Sequence, residues 1–135
     1  MPTVLHVCLA GEHVTNHLEL VRALRQRHQI TLVDRLEHLM ATGVLTTADV
    51  LVLDSAGDTA RLPDLLSQVK KGFPRLRVIL VNGGLSQREV ADAFGIGIAD
   101  YFPQPCNIGL LGARIEVLGH RLRGLPVSAP STDRP

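Results

Sequence analysis

Apolar residues along this chain arrive in short blocks separated by polar stretches, and the blocks alternate between two periods. Residues 4–9 form a mostly apolar, β-rich run, the pattern of a strand covered on both faces. Over residues 16–28 the period changes: Leu18, Val21 and Leu24 recur at helical spacing, with Arg22, Arg25 and Arg27 elsewhere around the helix. Thr15 or Asn16 is placed to cap its start. Residues 30–33 read as a second strand, and 35–41 as a short helix ended by Gly43. The third strand is Val50-Leu-Val-Leu-Asp54, apolar until it closes on a carboxylate. A polar, glycine-containing loop (55–59) leads to a helix over 62–71, and residues 77–81 make the fourth strand. Asn82-Gly83-Gly84 is a turn signal. Ser86 then caps a helix over 86–94, with Glu89 three residues on to complete a capping box. Residues 98–102 are the fifth strand, and Asn107 caps a last helix through Leu122.

Five strands alternating with five helices predict a parallel sheet covered on both faces. Right-handed crossovers leave few ways to connect such a chain. The common solution at this length is the flavodoxin-like, doubly wound three-layer fold with strand order 2-1-3-4-5, whose site lies at the carboxyl ends of strands 1 and 3. That rule points to Cys8, Leu9, Ala10 and Asp54, with Asn82 and Gln104 following strands 4 and 5 on the same edge. Residues 1–123 are read as one domain. The Pro- and Ser-rich residues 124–135 are read as a flexible tail or linker.

Composition changes the picture mainly by exclusion. At 135 residues there is enough chain for one compact domain with a sizeable core but not for two. The net charge is +1 with the basic residues scattered along the sequence, and aromatics are 3%, so neither electrostatics nor stacking supports nucleic-acid binding. No apolar run approaches the roughly 20 residues that cross a bilayer, and the first residues lack a basic leader region, so neither a membrane partner nor a signal peptide is expected. Two cysteines are too few for a disulfide framework, and a cytoplasmic location is expected.

Three stretches resemble the response-regulator receiver family, whose members have the CheY-like version of this fold. "ADVLVLD" resembles the third strand, whose terminal aspartate accepts phosphate; "VILVNGG" resembles the fourth, which ends in a Thr or Ser hydroxyl. "AFGIGIADYFPQP" resembles the ending that carries an aromatic (here Tyr101) and a lysine followed by proline (here Gln104 and Pro105). The likeness runs from residue 3 to about 122 and implies a phosphoacceptor position at Asp54, a hydroxyl position at Asn82 and a lysine position at Gln104. It also implies two-component signalling, with a histidine kinase as donor in a phosphorelay. The sequence departs from the family at the site. Where the family has two adjacent acidic residues after strand 1 to hold Mg²⁺, this chain reads Cys8-Leu9 or at most Ala10, and only Asp54 keeps its chemistry.

An acyl phosphate brings about two negative charges beside a carboxylate and needs cations to neutralise them. Mg²⁺ takes oxygen ligands, which a thiol and a leucine do not offer, so no Mg²⁺ or other cofactor is expected. Gln104 and Asn82 donate neutral hydrogen bonds only. Loss of one preorganised electrostatic group costs about 10²–10³ in rate, so loss of metal and lysine together leaves Asp54 nearly unreactive. Glu12 is the one residue placed to rebuild a metal site, against a reading as a solvated loop carboxylate. His13 and His17 share an i, i+4 spacing and, with Cys8, invite a transition-metal site, against plain surface histidines. His6 is read as a hydrogen-bonded core histidine and Cys8 as a packing residue. A Cys8–Cys106 redox pair is disfavoured because strands 1 and 5 are not neighbours. Gly83, Gly84, Gly95 and Gly97 form no phosphate-binding fingerprint.

Two functional classes follow. The first is a pseudo-receiver, a non-enzymatic module whose fourth helix, fifth strand and fifth helix dock a protein through Arg88, Asp92, Tyr101, Ile115, Leu118 and Arg121 or their neighbours, with a second copy of the chain as another occupant. Tyr101 is read either as the family's reporting aromatic or as a ring capping the sheet edge. The second is an active receiver that accepts phosphate on Asp54 from a histidine kinase. No nucleophile–base pair can be placed for a small-molecule enzyme.

Overall fold

A computed structural model describes residues 4–11, 18–41, 43–54, 60–81, 84–103 and 107–122. Five strands, β1 (His6–Ala10), β2 (Gln29–Val33), β3 (Val50–Asp54), β4 (Arg77–Val81) and β5 (Asp100–Phe102), form one sheet in the order β2-β1-β3-β4-β5. Every pairing is parallel. Four helices alternate with them: α1 (Leu18–Arg25), α2 (Leu62–Gly72), α3 (Gln87–Ile96) and α4 (Ile108–Leu122). The predicted topology is the one observed.

Burial follows the strand alternation. Cys8, Ala10, Leu51, Leu53, Val78 and Leu80 enter one core with Leu62, Leu66 and Val69 of α2 and Ala93 of α3. Val7, Leu9, Val50, Val52, Ile79 and Val81 enter a second core with α1 and with Leu111, Ile115 and Leu118 of α4. Central strands buried on both sides are therefore apolar throughout. The two sequence-predicted caps are present. Ser86 Oγ accepts from the Glu89 N–H at 3.1 Å while Glu89 Oε1 accepts from the Ser86 N–H at 2.8 Å, and Asn107 Oδ1 accepts from the Leu110 N–H at 3.0 Å. Thr15, Asn16 and the tail lie outside the described residues.

One element differs from expectation. The helix expected over 35–41 is reduced to a single 3-10 turn, Leu36–His38, followed by a second at Val44–Thr46. Arg35 is extended (φ −129°, ψ 124°), so no α-helix starts there, and Leu39, fully buried, supplies the anchoring that a longer helix would have supplied. Strand 1 also runs one residue further than its apolar pattern suggested, through Ala10.

α4 is tied closely to the sheet where the strands begin. A Cβ on Gly119 would lie 2.6 Å from Leu5 Cδ1, so a side chain there would have to push Leu5 aside. The Leu5 N–H donates to His28 Nδ1 (3.1 Å), which leaves Nε2 to carry the ring hydrogen and donate to Glu116 Oε2 (3.1 Å). Arg27 joins the same carboxylate oxygen at 2.9 Å.

Candidate functional site

Asp54 is the last residue of β3, pairs in register with Val81, and is 5% exposed. Four apolar residues carry the strand between two cores, and the carboxylate comes where those cores end at the carboxyl edge. β1 reaches the same edge beside it, with Ala10 opposite Leu53. The next residue, Gly11, donates its N–H to the Val33 carbonyl at 2.9 Å and has φ +139°. A Cβ placed there would lie 2.4 Å from the Asp54 carbonyl oxygen and 3.0 Å from Asp54 Cβ. The first position after β1 is thus pressed onto the Asp54 backbone, and no side chain of any kind fits.

This placement corrects the assignment of Cys8 and Leu9 to the edge of the sheet. They sit inside β1, opposite Leu51 and Val52, 0% and 1% exposed, in different cores. Burial pushes the Cys8 thiol up to about 12, so it stays neutral at ordinary pH. The positions that follow the strand are Gly11 and Glu12, and a glycine after an apolar run was the signal in the sequence for the first of them. Glu12, His13, His17, Asn82, Gly83, Gln104 and Cys106 lie outside the described residues. The strands preceding Asn82 and Gln104 end at Val81 and Phe102, which pair in register. Among the described residues no group of three His, Cys, Asp or Glu side chains is arranged to hold a metal ion. His6 is a buried, hydrogen-bonded histidine: Thr47 Oγ1 lies 3.1 Å from Nδ1 and Thr31 Oγ1 2.8 Å from Nε2.

The expected docking face is made by α3, β5 and α4. Arg88, Asp92 and Arg121 are exposed. Tyr101 is half-buried in β5, opposite Leu80, and packs against the core covered by α2 and α3. Ile115 and Leu118, also assigned to this face, are 0% and 4% exposed and belong to the core under α4. Helical spacing gives a buried stripe and a docking stripe the same appearance in sequence, which is why they were misplaced. The apolar surface on these elements is instead Phe94 and Leu110, 45% and 63% exposed. Arg114 Nε donates to Asp100 Oδ2 at 2.9 Å and fastens α4 to β5, a pair the sequence did not announce. A separate cleft of about 290 Å³ opens between the first 3-10 turn and α2, lined by Leu36, Met40, Arg61 and Leu65 among others, where the expected helix is missing.

Comparison with family models gives no match, and neither does comparison with curated proteins. Solved structures give many. A receiver domain protein described as CheY-like from Methanospirillum hungatei superposes with TM-score 0.78 at 14% identity, over 90% of this chain and 98% of that one. A protein described as pilus assembly-related from Burkholderia pseudomallei gives 0.75 at 18% identity, over 90% and 93%. A pilus assembly protein from Burkholderia thailandensis gives 0.71 at 17%, over 90% and 99%. At such identities the likeness carries architecture and nothing finer. By that architecture, this chain has the fold of the response-regulator receiver domains.

Proposed function

We propose that this chain is a receiver-fold signalling module that works by docking a protein partner, with no phosphoryl transfer to Asp54. The observation that carries this reading is the packing of Gly11 on Asp54. An acyl phosphate needs cations beside the aspartate, and the family resemblance places the metal-holding carboxylates directly after strand 1. Of the two positions there, Gly11 is one into which no side chain fits, and Glu12 leaves a single carboxylate where the family has a pair. Asn82 and Gln104, which stand in the sequence at the hydroxyl and lysine positions, add no positive charge.

The docking surface is the α3–β5–α4 face, with Arg88, Tyr101 and Arg121 as its polar contacts and Phe94 and Leu110 as its apolar ones. A partner would lay apolar area over Phe94 and Leu110, with the two arginines at the rim. The receiver fold also occurs in proteins described as pilus assembly proteins. A second copy of this chain is the other occupant of the same face, and sedimentation equilibrium with Leu110→Glu distinguishes it.

The alternative, an active receiver phosphorylated by a histidine kinase, is favoured by one observation: Asp54 stands at the carboxyl end of β3, where the family's acceptor stands. The test is intact mass after incubation with acetyl phosphate and millimolar Mg²⁺. No added phosphoryl group is expected. A phosphoryl adduct on the wild type that is absent from Asp54→Asn would establish the alternative.

A further inference from the structure

The basic residues are scattered in sequence, but the fold brings a group of them together at one edge. In a parallel sheet with right-handed crossovers every helix runs back against the strands, so helix C-termini and strand starts share the amino edge, opposite Asp54. α1 ends in Arg25, with Arg27 in the next loop. α2 ends in Lys70 and Lys71, with Arg75 following, and α4 ends in Arg121. All but Lys70 are exposed. Acidic residues go the other way: Glu19, Asp64 and Glu89 lie in the first turns of α1, α2 and α3. The acids at the amino edge are engaged: Asp49 Oδ2 with the His6 N–H at 2.8 Å, Asp100 Oδ2 with Arg114 at 2.9 Å, and Glu116 with His28 and with Arg27, whose charge it offsets.

Basic residues at helix C-termini have a plain structural use, since they face the negative end of the dipole. Lys70 has that use: its Nζ donates to the Leu76 carbonyl at 2.8 Å. Arg27 and Arg75 lie outside the helices, and Arg77 Nε is buried with no hydrogen-bond partner among the described residues. The like charges crowd one another, for burial first and then Arg77 lower the Lys70 pKa from its ordinary value. A helix-end preference alone does not account for this excess.

We propose that the amino edge of the sheet is a peripheral binding surface for an anionic lipid bilayer. The cations come from three helix ends spread across the sheet rather than converging on one pocket, which suits a continuous charged plane. Such a plane acts through its surface potential over about 8–10 Å and needs no specific contact geometry. Val4, 57% exposed just before β1, adds an apolar side chain to the same edge. A nucleic acid fits less well, because there is little aromatic surface for stacking. The expectation of no membrane partner rested on the lack of a spanning run, and peripheral binding requires none.

The test is co-sedimentation of the full chain with vesicles of phosphatidylcholine alone and of phosphatidylcholine mixed with phosphatidylglycerol, at low and high salt. Binding to the mixed vesicles alone, released by salt, is expected. Each removed cation should weaken partition roughly fivefold, so the double variant Arg25→Glu, Lys71→Glu should lose at least about 25-fold. Arg35→Glu, the same kind of charge reversal beyond the far end of β2, should bind as the wild type. The proposal is overturned if mixed vesicles do not sediment the protein, or if Arg35→Glu weakens binding equally. It is also overturned if soluble polyglutamate competes the protein off the vesicles at equal charge, which would assign the edge to an acidic protein.

Discussion

At position 11 the backbone turns at φ +139° with the Asp54 peptide against it. Alanine there meets two costs, a backbone region that L-residues rarely adopt and a methyl group 2.4 Å from a carbonyl oxygen. Together they are expected to destabilise Gly11→Ala by on the order of 3 kcal/mol, read from the urea unfolding midpoint. An unchanged midpoint would mean that the chain can back away from Asp54 and leave room for a side chain. Cys8 makes a second case at this scale. Its thiol is neutral in the fold up to about 12 against an ordinary value of 9.0, so folding disfavours ionisation. The sign follows: this contribution to stability is fully present below pH 9 and is lost as pH rises from there towards 12, at up to about 1.4 kcal/mol per pH unit. In a Cys106→Ser background, a thiol reagent at pH 8 should label Cys8 only at the rate of unfolding. Rapid labelling of the folded protein would show an open path to β1.

Among the elements, those specified by more than one signal were legible and those specified by one were not. α3 has a capping box as well as helical spacing, and it forms where both place it. Ser86→Ala is expected to cost about 1 kcal/mol, with a smaller loss for Glu89→Gln; equal stability of all three proteins in urea would show that the box contributes nothing. The strands were legible because a doubly covered sheet requires continuous apolar runs, and the strand order because crossovers are right-handed. Residues 35–41 carried a helical signal of one turn, Leu36 with Leu39 and Met40, and one 3-10 turn places Leu36 and Leu39 together as well as an α-helix does. Ile115 and Leu118 failed for a related reason: periodicity shows that a helix has an apolar stripe but not whether core or solvent faces it. Within the site, Asp54 was legible as the polar end of an apolar strand. The role of Gly11 was not, because its constraint comes from β3, far away in sequence.

Over the whole molecule, a net charge of +1 conceals a polarised distribution, with cations at the amino edge and the carboxylates of Glu19, Asp64 and Glu89 towards the edge that carries Asp54. The α3–β5–α4 face lies along the side of the sheet between these edges and meets the amino edge at Arg121. In a switching receiver, phosphate at the carboxyl edge would bias that face. A ligand moves a conformational equilibrium only through differential affinity, and a phosphoryl group that is not formed has none to apply. The α3–β5–α4 face is therefore expected to hold one state, with partner binding indifferent to Asp54→Asn and reduced by Tyr101→Ala or Arg121→Glu.

The most direct measurement is a pair of amide NMR spectra of the full chain, without and with millimolar Mg²⁺ and acetyl phosphate, followed at Asp54, Val81, Tyr101 and the residues of α3. Superimposable spectra are expected at all of these positions. Shifts at Asp54 that extend to Tyr101 and α3, and that vanish in Asp54→Asn, would contradict this expectation.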